Sequence, residues 1–152
     1  MSSTPRRAAG VVAALLLILG TGCAPKSPDH AVWTDQALRA VSDLQSEVAT
    51  VQLVLRLQRQ DDLPQNYQQM VVLDSEESAG TTTESFTSVQ PPARDDERYH
   101  RVATTLSDAS DVISDVRIAV VREDSDVYPA LLEDLAKVQR DLDAQTRELE
   151  GR

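Results

Sequence analysis

The chain has 152 residues, with 25 acidic and 15 basic side chains and a formal net charge of −10. That length holds one domain or at most two, and an acidic chain without a basic stripe does not suit nucleic acid, whose phosphates need clustered Lys and Arg. The single Cys excludes an internal disulfide and any Cys-based zinc site within one chain.

The N-terminus reads as an address. Arg6 and Arg7 are followed by an apolar run over residues 8–19, then Gly20, Thr21, Gly22 and Cys23. This is the three-part layout of a secretory signal. The apolar run is about 12 residues, against roughly 20 for a membrane-spanning helix, so a cleaved signal fits better than a retained anchor.

The segment Leu19-Gly20-Thr21-Gly22-Cys23 resembles the lipobox of bacterial lipoproteins. The Leu usual at the third position before the Cys is Gly20 here, and Leu19 sits one place early. The resemblance implies cleavage before Cys23 and a diacylglycerol on its sulfur. It also accounts for the unpaired Cys, which stands where no core exists. Arg6-Arg7 has poor flanks for a twin-arginine signal, and ordinary secretion is expected. The Arg-over-Lys bias, with abundant Ala, Val and Asp, resembles a high-GC Gram-positive bacterium. The expected divisions are residues 1–22 as signal peptide, 23–31 as lipidated Cys and tether, and 32–152 as the folded domain. The implied location is the extracytoplasmic face of the cell membrane, held by the lipid. Two acyl chains anchor stably, so the domain needs no membrane-binding surface of its own.

Beyond the tether the signal is periodicity. In the first segment Ala37, Val41, Leu44, Val48, Val51 and Leu55 recur at spacings of three and four. Thr34 or Asp35 is the expected cap, and Asp61-Asp62-Leu63-Pro64 ends the segment.

The second segment, residues 64–89, opens with Tyr67, Met70, Val71 and Val72. Ser75, Ser78, Gly80 and three threonines follow, all poor helix formers. Val72, Ala79, Phe86 and Val89 recur at 7, 7 and 3, which favours a helix with a small-residue face. A β-hairpin around Ala79-Gly80, or disorder, is the competing reading.

The third segment carries Tyr99, Val102, Leu106, Ala109, Ile113, Val116 and Val120 on one face. Asp95, Asp96 and Glu97 place acid at its start, where the helix dipole favours it. The fourth carries Tyr128, Leu131, Leu135, Val138, Leu142, Gln145 and Leu149. Pro129 lies in its first turn, where it is tolerated, and Glu133, Lys137 and Asp141 form an i,i+4 ladder on its exposed side.

Four segments of similar length with short breaks predict an all-α, antiparallel up-down-up-down four-helix bundle, its second helix being the uncertain one. In that topology the most apolar stretches, 51–57, 70–73, 116–121 and 128–135, gather at the pole far from the tether. Trp33 and Phe86 meet at the near pole, with Tyr99 beside them.

Candidate sites are few. Neither His30 nor His100 has a Glu three residues before it, as di-iron bundles require. His30 reads as a solvated tether residue and His100 as a surface residue. Asp108, Asp111 and Asp115 share a helix face that could hold a hard cation but reads as a solvated face. Asp124-Ser125-Asp126 starts like a calcium loop without the Gly and Glu that complete one, and reads as a helix cap. No serine-hydrolase, zinc-protease or phosphate-loop motif occurs, so no enzyme, metal or cofactor is expected.

One feature exceeds what a bundle needs. Val51, Leu53, Val54, Leu55 and Leu57 cover more than one apolar stripe. The plain reading is a helix buried on two sides. The functional reading is an exposed strip for a protein partner, with Leu53, Leu57, Met70 and Leu132 as its residues. A carrier of a small apolar ligand, with a pocket between the helices at those four residues, is the alternative.

Overall fold

The computed structural model describes residues 29–58 and 63–151. Among these residues four helices pack together: α1 (His30–Gln58), α2 (Gln65–Thr87), α3 (Asp96–Val121) and α4 (Tyr128–Leu149). Short 3-10 turns, Ala93–Asp95 and Ser125–Val127, lead into α3 and α4. Each helix packs on its neighbour in sequence, and α1 closes the ring against α4.

Contacts across the bundle fix the directions. Phe86, near the end of α2, lies 6.4 Å by ring centroids from Trp33 at the start of α1. It lies 5.5 Å from Tyr99 at the start of α3. At the other pole Gln65 Nε2, at the start of α2, donates to the carbonyl of Val120 at the end of α3 at 2.9 Å. The chain is therefore the antiparallel four-helix bundle that the periodicity predicts, with Trp33, Phe86 and Tyr99 at one pole. No strand occurs among the described residues. The signal segment, Cys23 and the tether as far as Pro28 lie outside them.

The core follows the spacing. Ala37, Val41, Leu44, Val48, Val51 and Leu55 are fully buried on α1, as are Val102, Leu106, Ala109, Ile113, Val116 and Val120 on α3. On α4, Leu131, Leu135, Val138, Leu142 and Leu149 complete it. Each Val, Leu or Ile among them contributes about 1.5–3 kcal/mol through removal from water. Tyr99 is only half-buried, because its hydroxyl turns outward and donates to the Thr87 carbonyl at 3.1 Å.

α1 starts earlier than predicted. Asp29 Oδ1 accepts the Val32 backbone N–H at 2.9 Å, so Asp29, not Thr34 or Asp35, caps the helix. The reason is tertiary: Trp33 is 1% exposed and must already be helical to reach Phe86. His30 and Ala31 thus belong to the bundle, which moves its boundary two residues ahead of Val32.

α2 is one continuous helix, and the hairpin alternative is excluded. Val72, Ala79 and Phe86 are buried as the heptad spacing requires, joined by Gln68 and Ser75. Packing overrides weak propensity here. The hydroxyls find partners within or across helices. Thr87 Oγ1 donates to the Thr83 carbonyl at 2.9 Å, and Thr83 Oγ1 pairs with Ser110 Oγ of α3 at 2.9 Å.

The expected cap at Asp124-Ser125-Asp126 does not form. Asp124 makes no side-chain cap bond, because a 3-10 turn intervenes and α4 begins only at Tyr128. The α3–α4 connection turns instead on Glu123, whose φ is +56°. With Glu123 in that left-handed conformation, the Asp124 N–H reaches back to the Ala119 carbonyl at 3.0 Å and closes the end of α3.

Candidate functional site

The predicted partner residues separate by exposure. Leu53 is 54% exposed and Met70 58% exposed. Leu57 is half-buried, and Leu132 is half-buried against the core. Leu53 and Leu57 are four apart and share one outer edge of α1. Met70 lies on the outside of α2, away from the Val72–Ser75–Ala79 face. Antiparallel order puts all four at the same pole. Leu53 and Met70 face solvent, so the four do not enclose a pocket.

That pole carries further exposed apolar side chains which the sequence reading did not single out as a surface: Tyr67, Leu73, Val121 and Val127. A signal was available. Tyr67, Met70 and Leu73 recur at three-residue spacing, off the heptad that carries the core. Asp74, Glu77, Glu123, Asp124 and Asp126, and the basic Arg56 and Arg122, are exposed on the same stretches of chain. Of the greasy stretch on α1, Val51, Val54 and Leu55 are core, so it is partly a helix buried on two sides and partly a surface strip.

The opposite pole is polar and cross-linked. His30 Nδ1 lies 2.8 Å from Asp95 Oδ2 and 3.0 Å from Oδ1. Asp95 is 3% exposed and also has Arg94 and Arg98 nitrogens 3.7 Å from its oxygens. His30 is therefore a helix residue bound to a buried carboxylate, not the solvated tether residue predicted. No local pattern reveals this pair, because the partners are 65 positions apart. A His–Asp pair can orient a general base. Here the pair ties the first residue of α1 to the turn that opens α3.

Beside it, Arg101 and Arg98 of α3 meet Glu148 of α4. The hydrogen bond from Arg101 is the main cause holding the Glu148 carboxyl below its ordinary value, with the charge of Arg98 adding to it. His100 is exposed, 3.7 Å from Asp96. Asp108, Asp111 and Asp115 are all exposed. No group of three or more His, Cys, Asp or Glu able to hold a metal ion occurs among the described residues.

Between α1 and α2, at the Trp33 pole, lies an open cleft of about 330 Å³. Trp33, Ala40, Phe86 and Val89 supply its apolar lining. Gln36, Arg39 and Asp43 line the α1 wall, and Thr81, Thr82 and Ser85 the α2 wall. It lies at the pole opposite to that of Leu53 and Met70.

Comparison with known proteins finds no matching family model, no matching curated protein and no matching solved structure.

Proposed function

We propose that this chain is a lipid-anchored, extracytoplasmic helical-bundle protein that acts as a non-enzymatic interaction or accessory module at the cell surface. The lipid on Cys23 holds it to the membrane, and the bundle presents its far pole to a protein partner. One observation carries the partner reading: Leu53, Met70 and Leu73 are each more than half exposed at the pole opposite to where the chain enters the bundle. Exposed apolar side chains grouped at one end of a well-filled bundle are the usual mark of a contact surface. No helix among the described residues is long and apolar enough to cross a membrane.

A carrier with its pocket at Leu53, Leu57, Met70 and Leu132 draws no support from this geometry, since two of the four face water.

The anchor is tested by Cys23→Ser. The variant leaves the membrane fraction and appears in the medium or soluble fraction; unchanged retention refutes lipid anchoring. The surface is tested by a photo-crosslinking residue at Met70 in intact cells, compared with one at Asp108 on the polar face. A discrete adduct at Met70 and none at Asp108 supports the reading, and equal labelling at both overturns it.

A further inference from the structure

α2 differs from the other three helices in its charge. It carries the acids Asp74, Glu76, Glu77 and Glu84 and no Lys, Arg or His, whereas α1, α3 and α4 each carry both signs. Of the four, only Glu76 is answered: it accepts from Ser114 Oγ at 2.6 Å and pairs with Arg117, both on α3. Thr83 pairs with Ser110 of the same helix. Among the described residues, no hydrogen bond or ion pair joins α2 to α1, and none engages the carboxylates of Asp74, Glu77 and Glu84. Arg39 of α1 shares the cleft with Thr81 and Ser85 and still pairs with none of the three.

These free acids have a register. Gln68, Val72, Ser75, Ala79 and Phe86 turn inward on α2. On the opposite side Met70, Asp74, Glu77, Thr81 and Glu84 recur at spacings of 4, 3, 4 and 3, and all five are exposed. Tyr67 and Leu73, also exposed, flank the first turn of this outer stripe. A three-and-four stripe is the pattern by which one helix seats another. α2 has two of them, one filled by the bundle and one facing water. The outer stripe spans about 21 Å at the rise of a helix. It is apolar at its start and anionic beyond.

We infer that the outward face of α2 docks a basic amphipathic helix of a partner protein, its apolar side chains on Tyr67, Met70 and Leu73 and its Lys or Arg side chains on Asp74, Glu77 and Glu84. The inference rests on the partner reading above and names the face and the chemistry that meets it. Charge selects the occupant. A second copy joined through this face by a two-fold axis sets the acids of one α2 against those of the other. An anionic lipid surface is repelled by the same three carboxylates. A helix bearing bases gains along the whole stripe. Exposed charge pairs are individually weak, so the apolar turn supplies the hold, and the acids supply the choice of partner and its direction along α2.

Two measurements test this. The first titrates the full chain carrying Cys23→Ser against a fluorescent, 18-residue helical peptide of Leu and Lys, followed by anisotropy. Asp74→Asn, Glu77→Gln and Glu84→Gln together weaken binding about tenfold, the sum of three exposed charge pairs. The matched change Asp108→Asn, Asp111→Asn and Asp115→Asn on α3 removes the same charge elsewhere and weakens it by less than about twofold, because distant charges are screened. All six positions are exposed, so both variants keep the helical circular dichroism of the parent. Equal loss in the two variants, or none in the α2 variant, overturns the inference. The second measurement places the photo-crosslinking residue at Met70 of the anchored chain in intact cells. The adduct is lost in the α2 triple variant and kept in the α3 one. An adduct that survives in the α2 variant overturns the basic-helix inference and leaves the partner reading standing. An adduct of twice the chain's mass assigns the face to a second copy and overturns it too. No adduct at Met70 in the parent sinks both.

Discussion

His30 Nδ1 lies 2.8 Å from Oδ2 of Asp95, joining the first residue of α1 to the turn that opens α3 across 65 positions of sequence. The carboxylate it meets is almost fully buried. A buried carboxylate that loses a partner bears its desolvation without compensation. His30→Ala should therefore lower stability by about 1–2 kcal/mol in urea unfolding, the loss being limited by the Arg94 and Arg98 side chains that stay near Asp95. His30→Asn, which keeps a short donor, should recover part of it. An unchanged midpoint for His30→Ala would show that the clasp is ornamental.

The Glu148 carboxyl gives the bundle a dependence on acid. Its folded value lies below the ordinary 4.5, first because Arg101 donates to it. A carboxyl depressed by folding adds stability that is fully present above its ordinary value and is lost as pH falls through the folded value. Arg101→Gln should thus be less stable than the parent at neutral pH, and the gap should close as pH drops below 4.5. Paired urea titrations across that range check the sign. Both partners are substantially solvated, so the gap is small and shrinks with added salt.

Two adjacent positions on α2 should respond in opposite directions. Ala79 is fully buried, and its carbonyl receives Ser110 Oγ of α3 at 3.5 Å. Ala79→Leu overpacks that seam and should cost about 1–3 kcal/mol. Gly80 is exposed, and a Cβ there would meet nothing within 4 Å. Gly80→Ala should stabilise the helix by about 0.5–1 kcal/mol. Thermal or urea midpoints of the two variants read the contrast directly.

Glu123 holds φ at +56° to end α3, a conformation in which Cβ crowds the backbone. Its side chain is exposed. Glu123→Gly should raise stability by about 0.5–1 kcal/mol, and Glu123→Val should lower it. A loss on Glu123→Gly would mean that the carboxylate makes a contribution the backbone angle does not reveal.

The sequence was most informative where burial alone decides. The three-and-four spacing on α1, α3 and α4 named nearly every core residue, because a helix turns a fixed angle per residue and one apolar stripe must leave water. Equal segment lengths with short breaks then fixed the antiparallel order, and with it the meeting of Trp33 and Phe86. α2 was legible only in part. Its heptad of Val72, Ala79 and Phe86 was visible, but its threonines and Gly80 spoke against a helix. The cross-helix bond from Thr83 to Ser110 exists only once the bundle has formed.

The surfaces were read less well for a physical reason. Periodicity says which way a side chain points, and so it placed Leu53 and Met70 at the far pole. It does not say which polar side chain meets which across a seam. The His30–Asp95 clasp, the Arg101–Glu148 pair and the unbridged α1–α2 cleft all depend on distances between residues remote in sequence. By itself, then, the order of residues determined the helices, their inward faces and their alternation. Only the packed structure decided which seams close and which stays open, because a hydrogen bond needs its partners within about 3 Å and the stripe pattern fixes a direction, not a distance.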